Sequence, residues 1–231
     1  MHIYYQAFPS LDKANEDGLL AMGGDLSIDT LVSAYAQGIF PWFNDDQPIL
    51  WWSPDPRLVL FPSQMKISRS LRKNLRNRFT VTCNKAFEEV VESCALRGDT
   101  EKNKDAGTWI TEEMHDAYVS LHSENYAHSV EVWQDGELVG GLYGLALGQV
   151  FFGESMFSHV ADASKVALAY LCEHLNIKGF ELIDCQVESQ HLLSLGAKNI
   201  ARDDFVGYLS CIDIQQATMD FSTNFPSCIK K

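Results

Sequence analysis

Two short stretches of the chain hold side chains from which chemistry can be built. Residues 151–158, FFGESMFS, set a carboxylate at Glu154 behind Gly153 and just ahead of Met156. Side chains alternate across a strand, so Glu154 and Met156 are expected on one face. A carboxylate beside a soft apolar residue suits a pocket floor better than a solvated surface. Residues 181–187, ELIDCQV, offer Asp184 and Gln186 by the same alternation. A carboxylate can orient a neighbour or take a proton, and a carboxamide offers both an acceptor and a donor. Both stretches also read as ordinary half-buried strands with carboxylates near their edges.

The elements that must position these groups follow from periodicity and turn signals. Residues 128–133 and 137–145 read as a hairpin closed by Asp135-Gly136, a pair that favours the tight type I′ turn. A further turn at Leu147-Gly148-Gln149 leads into the FFGESMFS strand, which completes a three-stranded meander. Gly140-Gly141 has room for a bulge or a close ligand approach. A helix capped at Ser164 then carries Leu168, Leu171, Cys172 and Leu175 on one stripe and ends at Gly179. Residues 180–187 are the next strand, and Ser189 to Leu195 a short helix closed by Gly196. Upstream, Ser27, Ser68, Asn84 and Thr111 are placed to cap helices. Meander, helix, strand, short helix is the order of the acyl-CoA N-acetyltransferase fold, an analogy of fold alone.

The first ~60 residues are dense in Gly and Pro turn signals, with one short helix from Ser27 to Gly38. Phe40, Trp42, Phe43, Trp51 and Trp52 crowd together here. Trp51 and Trp52 read as core, whereas Trp42, between Pro41 and a polar loop, suits exposed stacking as well as packing. A strand over 57–61 and Pro62 mark the expected boundary between a small N-terminal α+β domain, 1–61, and a second domain, 62–231.

Composition bounds the class. The chain has 231 residues, 46% hydrophobic and 21% charged, which is ordinary for a globular protein with an ample core. Its six cysteines lack metal-type spacing and read as reduced core residues of a cytosolic protein. No signal peptide and no apolar run long enough to span a membrane is read. The net charge of −13 argues against a general nucleic-acid binder. Yet residues 65–78, MKISRSLRKNLRNR, hold Lys66, Arg69, Arg72, Lys73, Arg76 and Arg78 with no acid among them. Their charges are expected all round a helix, which reads either as a solvated surface helix or as a contact for a polyanion.

A run of ordered strings goes further: GLLAMGGDLS, GIFPWF, ILWWSPDPR, GTWI, HSVEVW, LVGGLYG, FFGESMFS, ASK, LIDCQV and SLGA, between residues 18 and 197. Together they resemble the leucyl/phenylalanyl-tRNA–protein transferases, and GIFPWF, WWSPDPR and GESMFS are the most specific. The resemblance implies a cytoplasmic enzyme that moves Leu, Phe and, less well, Met from aminoacyl-tRNA to proteins with N-terminal Arg or Lys, marking them for N-end rule degradation. It implies a small N-terminal domain and an acetyltransferase-like C-terminal domain with a mixed, mostly antiparallel sheet.

The implied reaction, aminolysis of an ester, is downhill, so no ATP, metal or redox cofactor is expected. The site must position an amine, remove its proton and stabilise an oxyanion. The resemblance assigns catalysis to Asp184 and Gln186, with Glu154 near the reacting group. Asp184 would orient Gln186 or act as a base, and Glu154 is also a candidate partner for the acceptor's basic side chain. The resemblance places the aminoacyl pocket at Leu142, Met156, Ser158, Leu168, Leu171 and Leu175. Ile183 also maps there, although alternation sets it opposite Asp184. The terminal adenosine would stack on Trp42 and Trp109, and Lys66, Arg69, Arg72, Lys73 and Arg76 would meet the tRNA. Two other readings are an acetyl-CoA-dependent acetyltransferase and a non-catalytic RNA-binding adaptor. The first wants a glycine-rich anion turn ahead of the central helix, where this chain has SHVADASK. The second leaves Glu154, Asp184 and Gln186 unexplained.

Overall fold

The structure, a computed structural model, describes residues 2–96, 110–210, 212–215, 221–222, 225–226 and 229. Trp109, Cys211, Cys228 and the loop expected over 98–107 lie outside the described residues.

The N-terminal part builds a three-stranded antiparallel sheet in the order β1-β3-β2, from β1 (Leu19–Met22), β2 (Phe40–Pro41) and β3 (Leu50–Trp52). These strands are two to four residues long, too short to show a period in the sequence. Helix α1 (Ile28–Ala36) starts where expected, with the Ser27 hydroxyl accepting the Thr30 N–H at 3.3 Å.

The larger sheet has seven strands in the order β10-β4-β9-β8-β7-β6-β5. They are β4 (Arg57–Leu60), β5 (Thr80–Cys83), β6 (Ala127–Gln134), β7 (Glu137–Leu147), β8 (Val150–Ser158), β9 (Leu182–Asp184) and β10 (Lys198–Ile200). All neighbours pair antiparallel except β8 and β9, which run parallel. The expected meander is β6-β7-β8, and its Asp135-Gly136 turn has both φ angles positive, 54° and 87°, as type I′ requires. Strand β10 and helix α7 (Arg202–Leu209) were not read from the sequence.

Helices cover both faces of this sheet. On one face lie α2 (Arg69–Asn77) and α5 (Ala163–Lys178), over Leu58, Leu60, Leu142, Phe151 and Ile183. On the other lie α1, α3 (Phe87–Leu96), α4 (Glu112–Ser123) and α7, over Val59, Tyr143 and Phe152. Tyr35, Phe40 and Trp51 share that second core with Phe152 and Phe205. The chain enters the large sheet at β4, ahead of the boundary expected at 61/62, so residues 57–60 pair with the C-terminal part. The short helix α6 (Gln190–Ser194) follows β9.

Four local expectations are corrected. Helix α5 begins one residue before Ser164, from Asp162 in a left-handed conformation, and the Ser158 hydroxyl accepts the Ser164 N–H at 3.3 Å. Asn84 accepts the Ser129 N–H at 3.0 Å, tying its turn to β6 rather than capping α3. Gly140 admits the first turn of α5, not a ligand, since a Cβ there would collide with Ala163. Helix α2 is amphipathic: Leu71 and Leu75, four residues apart, are buried against the α5 core, while Arg69, Arg72, Lys73 and Arg76 are exposed. Two leucines one turn apart are enough to seat a short helix whose exposed side carries four cations.

Candidate active site

Strands β8 and β9 stay paired only from Val150–Phe152 against Leu182–Asp184. Beyond that point they part, and a cavity of about 380 Å3 opens between them. Its lining includes the apolar Leu142, Phe151, Met156, Leu168, Leu171 and Ile183 and the polar Glu154, Ser155, Gln186, Ser189 and His191. Space of this size with a few convergent polar groups is the usual form of a small-molecule site.

A bulge sets Glu154. Tyr143 pairs with Ser155 and Gly144 with Gly153, so Glu154 is the extra residue on β8. Such an insertion re-aims a side chain out of simple alternation. Met156 therefore packs with the α5 core, while Glu154 turns towards α4, and the expected common face is lost. The Tyr118 hydroxyl donates to Glu154 Oε2 at 2.6 Å, and the Tyr35 hydroxyl lies 2.6 Å from that of Tyr118. On the other oxygen, Gln186 Nε2 donates to Glu154 Oε1 at 3.2 Å. Burial pushes the Glu154 carboxyl up to about 7, against hydrogen bonds from Tyr118 and Tyr35 that favour its ionised form. The tyrosine hydroxyls are themselves held well above their ordinary range, first by burial and then by the Glu154 charge. They stay protonated as donors.

Asp184 and Gln186 do not share a strand face. Strand β9 ends at Asp184, and Gln186 takes a left-handed φ of 57°. Asp184 is fully buried and faces away from the cavity, against Arg57. Arg57 Nε donates to Oδ1 at 2.8 Å and Nη2 to Oδ2 at 2.7 Å. Ile183, on the opposite face, lines the cavity, so alternation placed Asp184 and Ile183 on opposite sides correctly; Gln186, past the strand end, lines the cavity as well and reaches Glu154.

Of the pocket residues the resemblance assigned, Leu142, Met156, Leu168 and Leu171 line the cavity. Leu175 is buried in the α5 core away from it, and Ser158 donates to the Val160 carbonyl at 2.8 Å beside the start of α5. Trp42 is 45% exposed, with its ring 5.9 Å from that of Trp52. The Trp52 indole donates to the Trp42 backbone carbonyl at 2.7 Å; of the two tryptophans expected in the core, Trp51 is buried and Trp52 is only half-buried. Tyr35, Tyr118 and Arg57 were missed as site residues. The tyrosines sit in the apolar stripes of α1 and α4, and only their hydroxyl partners reveal them. Among the described residues, no three His, Cys, Asp or Glu side chains gather as a metal would need, and no helix is long and apolar enough to cross a membrane.

The mixed seven-stranded sheet, its meander and the cleft between two parting parallel strands define an α+β protein with a small N-terminal sheet. Residues 59–210 match the family described as leucyl/phenylalanyl-tRNA protein transferase, and residues 24–55 match its N-terminal domain. The chain is 62% identical over 206 residues to the leucyl/phenylalanyl-tRNA–protein transferase of Chromohalobacter salexigens, covering 88% of this chain and 79% of that one. It is 57% identical over 206 residues to the enzyme of the same name from Pseudomonas fluorescens, covering 88% and 89%. Among solved structures it is similar to a GCN5-related N-acetyltransferase from Kribbella flavida, at a TM-score of 0.38 and 16% identity over 71% of this chain and 57% of that one. The chain belongs to the leucyl/phenylalanyl-tRNA–protein transferase family, and it is an aminoacyltransferase.

Proposed function

We propose that this enzyme moves Leu, Phe and, less efficiently, Met from aminoacyl-tRNA to the α-amine of proteins with N-terminal Arg or Lys, marking them for N-end rule degradation in the cytoplasm. The observation that carries the reading is a cavity lined by apolar side chains that also takes in a hydrogen-bonded carboxyl and carboxamide, Glu154 and Gln186. The aminoacyl side chain enters between Leu142, Met156, Leu168, Leu171 and Ile183. Its ester carbonyl then lies towards Glu154 and Gln186, where the acceptor amine approaches. The neutral amine attacks the carbonyl carbon, the bond to the ribose oxygen breaks, and one proton passes from nitrogen to that oxygen.

Glu154 is the group suited to carry that proton. Its acidity lies near neutral pH, where a general base works best, and it faces the cavity. Gln186 orients the carboxyl and offers its own carbonyl to the amine. Asp184, with both oxygens on Arg57, acts by positioning rather than as a base. Trp42 and Trp109 stack on the terminal adenosine, and aromatic stacking on a base contributes about 1–3 kcal/mol. The exposed cations of α2, with Lys66, meet tRNA phosphates. Incubation with charged Leu-tRNA and a peptide beginning with Arg tests the reading: a Leu-Arg product is expected, and peptide left unmodified by folded enzyme overturns it.

A further inference from the structure

We propose that Arg57 is a positioning residue for the transfer: its guanidinium fixes the Asp184 carboxylate, which in turn holds Gln186 in the backbone turn that delivers its carboxamide to Glu154. This rests on the reading that Glu154 and Gln186 carry the chemistry.

Asp184 Oδ1 receives two donors, Arg57 Nε at 2.8 Å and the Gln186 backbone N–H at 3.0 Å. The second oxygen takes Arg57 Nη2 at 2.7 Å. The Gln186 carbonyl accepts the Leu58 N–H at 3.2 Å, so β4 holds one end of this residue directly through Leu58 and the other through Arg57 by way of Asp184. That hold is needed, because a φ of 57° is sparsely populated by a side chain such as glutamine. The turn puts Gln186 Nε2 3.2 Å from Glu154 Oε1, where a continued strand would carry it elsewhere.

Arg57 is itself held from the far side. Its Nη1 donates to the Gly38 carbonyl at 3.2 Å, and its guanidinium lies 4.8 Å from the Phe40 ring centroid and 4.6 Å from that of Phe205. Arg57 and Asp184 are fully buried and neither lines the cavity. The N-terminal segment at Gly38–Phe40 and helix α7 thus reach the site through one guanidinium. Lysine cannot replace it, since a single ammonium lacks the two-pronged grip.

The test is a cycle of Arg57→Lys with Gln186→Ala, read in kcat, in KM for Leu-tRNA and in Tm, with amide hydrogen exchange at Gln186. Folded Arg57→Lys is expected to lose about 10- to 100-fold in kcat, as small misplacements of reacting groups do. KM should hold within about twofold, and the same change should lower kcat by less than about twofold in the Gln186→Ala background, because the two residues act as one unit. The loss in Tm should be equal in both backgrounds, and the Gln186 amide should exchange faster in Arg57→Lys. A retained kcat, or an equal kcat loss in both backgrounds, assigns Arg57 to structure alone and overturns the proposal. Where Arg57→Lys does not fold, Asp184→Asn enters the same cycle with the same two outcomes. Wild-type enzyme without transfer activity sinks the functional reading, and the exchange arm then decides alone: unchanged protection at Gln186 removes Arg57 from its positioning.

Discussion

The Tyr118 hydroxyl donates to Glu154 Oε2 at 2.6 Å, across the gap between helix α4 and the bulge in β8. A hydrogen bond to the ionised form lowers a carboxyl's pKa, and burial raises it. At Glu154 burial wins, leaving the group at about 7. Removing the donor should therefore move the group further from the ordinary carboxylate range. Tyr118→Phe keeps the ring and loses only the hydroxyl. The acid limb of the kcat/KM–pH profile, expected near 7 in the wild type, should move up by roughly one to two units, since a hydrogen bond to a charged group is worth about 1.5–3 kcal/mol. An unmoved acid limb would show that Glu154 is not the titrating base.

The same group links pH to stability. Glu154 holds its proton in the folded protein up to about 7, whereas in the unfolded chain it releases it near 4.5. Between those values the folded state binds more protons, so stability falls as pH rises from about 4.5 towards 7, then levels. Glu154→Gln has no proton to lose and should flatten that fall by roughly 1–3 kcal/mol. Urea midpoints for both proteins from pH 5 to 8.5 check it, and identical pH dependence in the two would rule the linkage out.

The stripe of α5 separates pocket from core within one helix. Leu168 and Leu171 line the cavity and Leu175 does not. Leu175→Ala should cost about 2–5 kcal/mol of stability and leave the Leu-to-Phe preference alone. Leu171→Ala widens the cavity and should favour Phe over Leu, whereas Leu168→Phe should hurt Phe most. A methylene in such a pocket is worth about 1–3 kcal/mol, so shifts of roughly tenfold in relative kcat/KM are expected. Equal ratios in all three folded variants would place the aminoacyl side chain elsewhere.

Helix α2 presents Arg69, Arg72, Lys73 and Arg76 to solvent on a protein of net charge −13. Where these residues neutralise phosphates, tRNA affinity should fall with salt, by roughly 0.7–0.9 in log–log slope per contact. Arg72→Gln with Lys73→Gln should flatten the slope by about twice that amount and weaken tRNAs of different sequence alike. Filter binding between low and moderate salt reads this directly. A slope unchanged in the double variant returns α2 to an ordinary solvated face.

Much of the molecule was set by the chain's own local chemistry. The Asp135-Gly136 turn, the hydroxyl caps at Ser27, Ser68 and Thr111, and the left-handed stop at Gly179 each act over a few residues, and each stands where residue type and spacing put it. The meander, the α5 stripe and the polar candidates Glu154 and Gln186 were legible for the same reason. Tertiary structure decided how those groups face. Alternation fails at Glu154 because a bulge adds one residue against β7, and at Gln186 because the strand ends and the backbone turns left-handed. Neither is written in a two-residue period. Arg57 lies 127 positions from Asp184, and Tyr118 lies 36 from Glu154. Such pairs form only when separate strands and helices are packed together, because burying a carboxyl demands a donor from wherever the fold can supply one. Charge and hydroxyl count can be read along the chain, but which charge meets which hydroxyl is settled by packing.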